Sequence, residues 1–269
     1  MVYKGLSRAA LFAATLLMPV AAYAAPCGNN AAGFDGWKRA FAQQAQAQGI
    51  GQRGIAALMN TSYSVGTIRA DRGQHSFKLS LDQFMAKRGG PAIAAKGKRM
   101  KAANAALLNG IERKYGVPPG PLLAIWGMET GFGSFMGNQP TISATATLAY
   151  DCRRPEYFRD QLMAALQLAD RGVLTPQTRG AMHGEVGMTQ FLPKSILLYG
   201  VDGNGDGVVN LNNKADALAS TANFLKGHGW VAGAGYQPGQ PNFAAIQGWN
   251  AASVYQQAIA IIARQIDGG

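Results

Sequence analysis

Apolar residues recur along this chain mostly at the three- and four-residue spacing of helices, and runs that alternate with period two are few and short. Phe34, Trp37, Phe41 and Ala45 form one such stripe behind Asp35, with Gly49 as a stop. Ser80 with Gln83 three residues on predicts a capping box opening a short helix. The Ala-, Lys- and Leu-rich stretch over 91–114 predicts one long helix closing at Gly116, with Lys96, Lys98, Arg99 and Lys101 on its wet face. Pro118 and Pro119 suit a helix start and Gly131 and Gly133 an end, so the next helix runs from there to Glu129. Further helices are expected over 141–150, 155–170, 193–199, 214–226 and 252–266, and the Gly- and Pro-rich stretch 229–240 reads as a surface loop. The predicted class is mainly α, with short strand or irregular insertions.

The helix ending at Glu129 differs from the others because Leu122 to Met128 is almost wholly apolar. An apolar setting penalises a carboxylate more than the neutral acid, so burial there would hold a proton on Glu129 near neutral pH, as a general acid requires. The competing reading is an ordinary solvated glutamate at a helix end. The chain has four glutamates, which makes elimination practical. Glu112 and Glu156 stand beside Arg113-Lys114 and Arg153-Arg154 and are expected to stay ionised and paired. Glu185, in the loop sequence Met182-His183-Gly184-Glu185-Val186-Gly187, remains as a second candidate carboxylate. If both faced one cleft, a two-carboxylate glycosidase would follow, retaining at a separation of about 5 Å and inverting at roughly 6.5–9.5 Å.

The first residues bear on compartment. Lys4 and Arg8, the apolar run 9–20 and Ala22-Tyr23-Ala24 form the charged, apolar and small-x-small pattern of a secretory signal peptide over 1–24. The run is too short for a membrane span, which takes about 20 residues, and the expectation is an exported, periplasmic protein without a transmembrane segment. After cleavage 23 basic residues face 14 acidic ones, a net +9, which suits an acidic wall polymer or simply solubility; export argues against genomic nucleic acid. Cys27 and Cys152 are the only cysteines, and in an oxidising compartment the expectation is a disulfide between them, with two buried thiols the alternative.

Other chemistries have little support. His75, His183 and His228 lack metal-ligand spacing, and there is no nucleophile elbow or phosphate loop. The segment 202–213 matches an EF-hand loop at Asp202, Asn204, Asp206, Gly207 and the Val208 carbonyl position, but ends in Asn213 where a bidentate glutamate belongs. It predicts either a weakly bound structural calcium or a metal-free Asx and Gly turn.

Taken together, the motifs resemble the lytic murein transglycosylase B family. They are Tyr-Gly-Val-Pro-Pro at 115–119, Gly-Met-Glu-Thr-Gly-Phe-Gly at 127–133, Ala-Thr-Leu-Ala-Tyr at 146–150, Arg-Arg-Pro-Glu-Tyr-Phe at 153–158, Gly-Met-Thr-Gln-Phe-Leu-Pro at 187–193, the Asp202 loop, and Asn-Phe-Leu-Lys-Gly-His-Gly-Trp at 223–230. Trp249-Asn250 with Tyr255 extends the resemblance to nearly the whole chain after residue 24. It implies one lysozyme-like domain over 25–269, with an N-terminal helical portion over 25–115 and a catalytic core over 116–269. The implied activity is non-hydrolytic cleavage between N-acetylmuramic acid and N-acetylglucosamine that leaves 1,6-anhydro ends.

In the resemblance Glu129 is the sole catalytic carboxylate, acid first and then base, needing no cofactor. Arg153, Arg154, Tyr157, Gln190, Trp249 and Asn250 fall on saccharide-binding positions, although Trp249 could equally pack in the core. Two departures matter: Ala181 stands where a serine is common, and Glu185 where a small apolar residue is common. The implied partners are peptidoglycan glycan strands and other cell-wall enzymes, with the protein a monomer. The rivals are a hydrolytic muramidase using Glu129 and Glu185, and a noncatalytic wall-binding protein.

Overall fold

Helical spacing of the apolar residues is realised as thirteen helices among the described residues, 26–73 and 79–268, of a computed structural model. The signal-peptide segment 1–24 and His75 lie outside the described residues. The N-terminal helices are α1 (Phe34–Ala47), α2 (Gln52–Met59), α3 (Val65–Arg72), α4 (Leu81–Arg88), α5 (Gly90–Ala103) and α6 (Ala105–Tyr115). Then come α7 (Pro119–Thr130), β1 (Gln139–Pro140), α8 (Thr141–Tyr150), α9 (Pro155–Asp170) and β2 (Arg179–Gly180). The chain closes with α10 (Pro193–Tyr199), α11 (Lys214–Gly227), α12 (Phe243–Trp249) and α13 (Ser253–Asp267).

α7 is apolar on every side, and a helix of that kind belongs in an interior. Each of its residues is buried except Glu129, which is half-buried. Pro119 sits in its first turn, where the missing N–H costs nothing, and Gly131 ends it at φ 59°, a left-handed cap that a side chain would resist. Gly120 allows the closest approach to α13, since a Cβ there would lie 2.4 Å from the Ala263 carbonyl oxygen. The Gly120 N–H instead donates to Asp267 at 2.9 Å, and Asp267 also receives Lys101 at 3.1 Å and the Tyr236 hydroxyl at 2.9 Å. The end of α13 is thereby fixed to the start of α7.

One hydrophobic core runs from Phe34 to Ile266. Within it α1, α2 and α3 pack on α8 and α9, while α4 and α5 pack on α13, and α5 on α7. At the first of these seams Phe34, Trp37, Tyr63 and Tyr150 form an aromatic cluster with ring centroids 5.5–6.2 Å apart. Beside it a disulfide joins Cys27 to Cys152 across a sequence separation of 125 residues. A link over so long a loop stabilises by roughly 2–5 kcal/mol, through restriction of the unfolded chain.

The helix expected over 91–114 is two helices. At Asn104 the side-chain amide donates back to the Met100 carbonyl at 2.8 Å and its oxygen receives Lys214 Nζ, so a local bond competes with the helical ladder. α2, α3 and α12 are not among the expected helices; each has eight residues or fewer, too short a run for helical spacing to stand out. The start of α2 is capped from a distance, because the N–H groups of Gly51 and Gly54 donate to the Asp170 carboxylate at 2.7 and 2.6 Å. The capping box at Ser80 and Gln83 forms on α4. No helix among the described residues is long and apolar enough to cross a membrane.

Candidate active site

A cavity of about 560 Å3 opens beside the C-terminal end of α7, and Glu129, Tyr157, Ala181, Glu185, Gln190, Trp249 and Asn250 line it. Six of those seven are positions singled out as site residues from sequence, and Ala181 is the departure noted above. The wall opposite helix packing is a short antiparallel system: β1 pairs with β2, Gly180 bridges Val186, and Val186 bridges Phe191. Its turn carries Ala181 to Glu185, tightened by the Ala181 N–H donating to the Glu185 carbonyl at 2.9 Å. Thr130, next to Glu129, donates to the Met188 carbonyl at 2.6 Å and accepts from the Gly133 N–H at 2.9 Å. The end of α7 and the loop that carries Gln190 are thus held in one register.

Gln190 adopts φ 57°, left-handed for a non-glycine residue, and its side-chain amide donates to the Gly187 carbonyl at 2.7 Å and to the Met136 carbonyl at 3.3 Å. Such backbone conformations cost on the order of 1–3 kcal/mol and cluster at functional sites. The strain here aims a polar side chain along the cavity wall.

Glu129 receives two hydrogen bonds on the same oxygen. Trp249 Nε1 donates to Oε1 at 3.0 Å and the Tyr255 hydroxyl donates to Oε1 at 2.8 Å. Among the described residues no protein donor meets Oε2. Burial raises the Glu129 pKa above the ordinary carboxylate value, and the two donors and the Arg88 charge oppose this without cancelling it, while the Glu185 charge adds to it. Burial and the neighbouring Glu129 charge push the Tyr255 hydroxyl well above the usual phenol value, so it stays a donor. Trp249 is braced edge-on by Phe191 and Phe224, at centroid distances of 5.3 and 5.0 Å, and is therefore packed and polar-engaged at once. Arg88 lies over the rings of Phe84 and Tyr255 at 5.5 and 5.6 Å.

Glu185 has the opposite balance. Burial raises its pKa, but His183, together with the backbone N–H groups of Glu185 and His183, outweighs burial and holds the carboxyl below its ordinary value. The His183 N–H donates to Oε2 at 3.0 Å and His183 Nδ1 lies 3.4 Å from Oε1. On its other side His183 Nε2 faces Asp71 at 3.8 Å.

Arg153 and Arg154, placed on the saccharide by resemblance, are both engaged with Asp71, which pairs with their guanidinium groups from α3 and leaves each side chain about 40% exposed. Neither lines the cavity. The reason is Asp71 itself, an acid buried to 2% exposure that needs cations to stay charged. Glu156 pairs with Arg159 at 2.9 Å rather than with Arg153 or Arg154, and Glu112 is exposed on α6. Asn250 lines the cavity with its carbonyl oxygen Oδ1 accepting from the Ala252 N–H at 2.9 Å.

In the 202–213 loop, Asp202 accepts from the N–H groups of Gly205, Asp206 and Gly207, and Asp206 from Val208. Asn213, expected as the last metal ligand, is turned away: its side-chain oxygen accepts from the Ala215 N–H at 2.8 Å and caps α11. Asp216, fully buried in the first turn of α11, receives the N–H groups of Gly203, Asn204 and Asn210 and closes the loop in its place. Among the described residues no three His, Cys, Asp or Glu side chains gather as a metal cluster.

Tyr255, Asp71 and Arg88 were not singled out as site residues from sequence. Tyr255 falls in the apolar stripe of α13 and looks like any core aromatic, while Asp71 and Arg88 look like solvated helix charges.

The transglycosylase SLT domain profile matches residues 33–239. The chain is 40% identical over 144 residues to the membrane-bound lytic murein transglycosylase B of Escherichia coli (strain K12), a match that covers 50% of this chain and about 40% of that relative's length. Its structure is similar to SltB3 of Pseudomonas aeruginosa, solved with NAG-anhNAM-pentapeptide, at TM-score 0.80 and 30% identity, covering 88% of this chain and 80% of that one. Escherichia coli Slt35, solved with calcium, shares the fold at TM-score 0.75 and 24% identity, covering 94% of this chain and 98% of that one.

Proposed function

The chain belongs to the transglycosylase SLT domain family, and on that premise we propose that it is a peptidoglycan lytic transglycosylase in which Glu129 is the acid and then the base. The observation that carries the proposal is the asymmetry of the Glu129 carboxyl. Both protein donors meet Oε1, which suits the carbonyl oxygen of a neutral acid, so the transferable proton belongs on Oε2 at the cavity.

In this reading Oε2–H protonates the glycosidic oxygen between N-acetylmuramic acid and N-acetylglucosamine as the C1–O bond breaks. The substrate's own N-acetyl group stabilises the cationic centre. The Glu129 carboxylate then takes the proton of the muramyl 6-hydroxyl, whose oxygen closes onto C1 as a 1,6-anhydro ring. An acid that must later act as a base works best with a pKa near the working pH, and burial, opposed by two neutral donors, shifts the Glu129 carboxyl upward, in that direction. Tyr157, Gln190, Trp249 and Asn250 are the proposed saccharide contacts, and SltB3, solved with NAG-anhNAM-pentapeptide, supports a glycan of this class. The pattern over residues 1–24 supports export to the periplasm.

The 202–213 loop is proposed as a weak structural calcium site formed by Asp202, Asn204, Asp206 and the Val208 carbonyl, with Asn213 left to its cap. Millimolar calcium should raise the melting temperature by about 2–5 °C over chelator-treated protein; an unchanged melting curve would refute it.

The activity is tested by digesting purified peptidoglycan and weighing the released muropeptides. Anhydro ends should be the main product. Reducing ends alone, one water heavier, would sink the transglycosylase reading, and intact glycan would favour a wall-binding protein.

A further inference from the structure

Glu185 is a carboxylate of the cavity that the transglycosylase reading leaves without work. Its carboxyl lines the same cavity as Glu129 but is carried by a different element, the turn between β2 and Phe191. That turn cannot loosen easily: a Cβ on Gly180 would lie 1.9 Å from the Glu185 carbonyl oxygen, and one on Gly184 would lie 2.2 Å from Thr145 Oγ1. The side chain is 24% exposed, so it is held but reachable. His183 stands between Glu185 and Asp71, at 3.4 and 3.8 Å. This is the order in which a base is oriented by a second group and that group by a third.

We infer that Glu185 is a second catalytic carboxylate of this cleft, the base that takes a proton from a water attacking the anomeric carbon, so that part of the product leaves with reducing ends. The inference rests on the assignment of Glu129 as the acid. In the hydrolytic branch Glu129 gives its proton to the leaving oxygen as the C1–O bond breaks, the water oxygen forms the new bond to C1, and one water proton passes to Glu185. Exchange with solvent returns a proton to Glu129 and removes one from Glu185. No other reactant is needed. The anhydro branch differs in its nucleophile and its base, the muramyl 6-hydroxyl and Glu129 in place of water and Glu185, so the two compete for one cationic centre. Glu185 is suited to the task because His183 and backbone amides hold its carboxyl below the ordinary value while burial holds that of Glu129 above it.

The test uses peptidoglycan whose pre-existing reducing ends have been removed with borohydride, digested by the full-length protein and by Glu185→Gln, with new ends counted by mass. The wild type should yield both kinds of end, and the ratio of reducing to anhydro ends should fall at least ~10-fold in Glu185→Gln, within the 10²–10⁴ range of a general base. Glu185→Ala, checked for folding by circular dichroism, should give the same ratio if the amide perturbs the turn. Anhydro ends alone from the wild type, or an unchanged ratio in both variants, would overturn the inference and leave the transglycosylase reading standing. No new ends of either kind would overturn both.

Discussion

Glu129 and Glu185 face one cavity, burial raises the pKa of each, and yet the two end on opposite sides of the ordinary carboxylate value. The difference lies in their partners. Glu129 has an indole and a phenol, neutral donors that oppose burial only in part, and a weaker cationic influence from Arg88, which lies over the Tyr255 ring. Glu185 has an imidazole and backbone amides at hydrogen-bond range, and behind them Asp71 with two arginines. Burial alone therefore does not decide the shift: with two neutral donors it leaves the carboxyl above its ordinary value, and with an imidazole and backbone amides it is outweighed.

The largest expected effect is on the first of these carboxyls. Glu129→Gln should lower peptidoglycan turnover about 10³-fold or more, measured as turbidity loss of a purified wall suspension. The same variant should be no less stable than wild type near neutral pH. A folded pKa raised above its unfolded value means the folded state holds the proton more tightly, so wild type should lose stability relative to the glutamine variant as pH rises through that window. Denaturant midpoints at several pH values check the sign.

Asp71 probes the ionised side of the comparison. Its carboxyl is held below its usual value because hydrogen bonds and charges from Arg153 and Arg154 outweigh burial. Asp71→Asn should cost about 1–2 kcal/mol at neutral pH, discounted because both arginines are about 40% exposed. With a depressed folded pKa the stabilisation is present above the unfolded value and lost as pH falls through the folded one. The gap between wild type and variant should therefore close in acid, as read from unfolding curves.

Trp249→Phe keeps the packing against Phe191 and Phe224 and removes one donor to Oε1. It should lower turnover about tenfold at neutral pH, the cost of one hydrogen bond to a buried charge-bearing group, and move the alkaline limb of the kcat/KM profile to higher pH. His183→Ala should have the smallest effect on that profile. It releases Glu185 from its imidazole, lets burial raise the Glu185 pKa, and weakens the like charge on Glu129, so the alkaline limb should move slightly to lower pH. Movement in the other direction would show that His183 acts on Glu129 by another route.

Much of the fold could be read from the chain alone, since α7, α8, α9, α10, α11 and α13 lie within about two residues of their expected spans. Their signals are local: Pro in a first turn, Gly past the end, apolar residues at helical spacing. α2 was not legible because its cap is Asp170, more than a hundred residues away. The break at Asn104 was not legible because Lys214 helps hold it from α11. At the site, Glu129 stood out by its apolar approach, whereas Tyr255 entered only as part of the closing motif and without a role, since an aromatic on an apolar stripe reads as core until something polar is found at its tip.

What the sequence determined by itself, then, is where helices begin and end, which helix is too apolar to be anything but buried, and which acid that helix delivers. Only the tertiary structure decided that Trp249 and Tyr255 share one oxygen of Glu129, that Asp71 holds both Arg153 and Arg154, and that the carboxyls of Glu129 and Glu185 are shifted in opposite directions. The physical reason is range: propensity, capping and amphipathicity act over a few residues, whereas the protonation state of a buried acid is set by whatever the fold brings within a few ångströms of it.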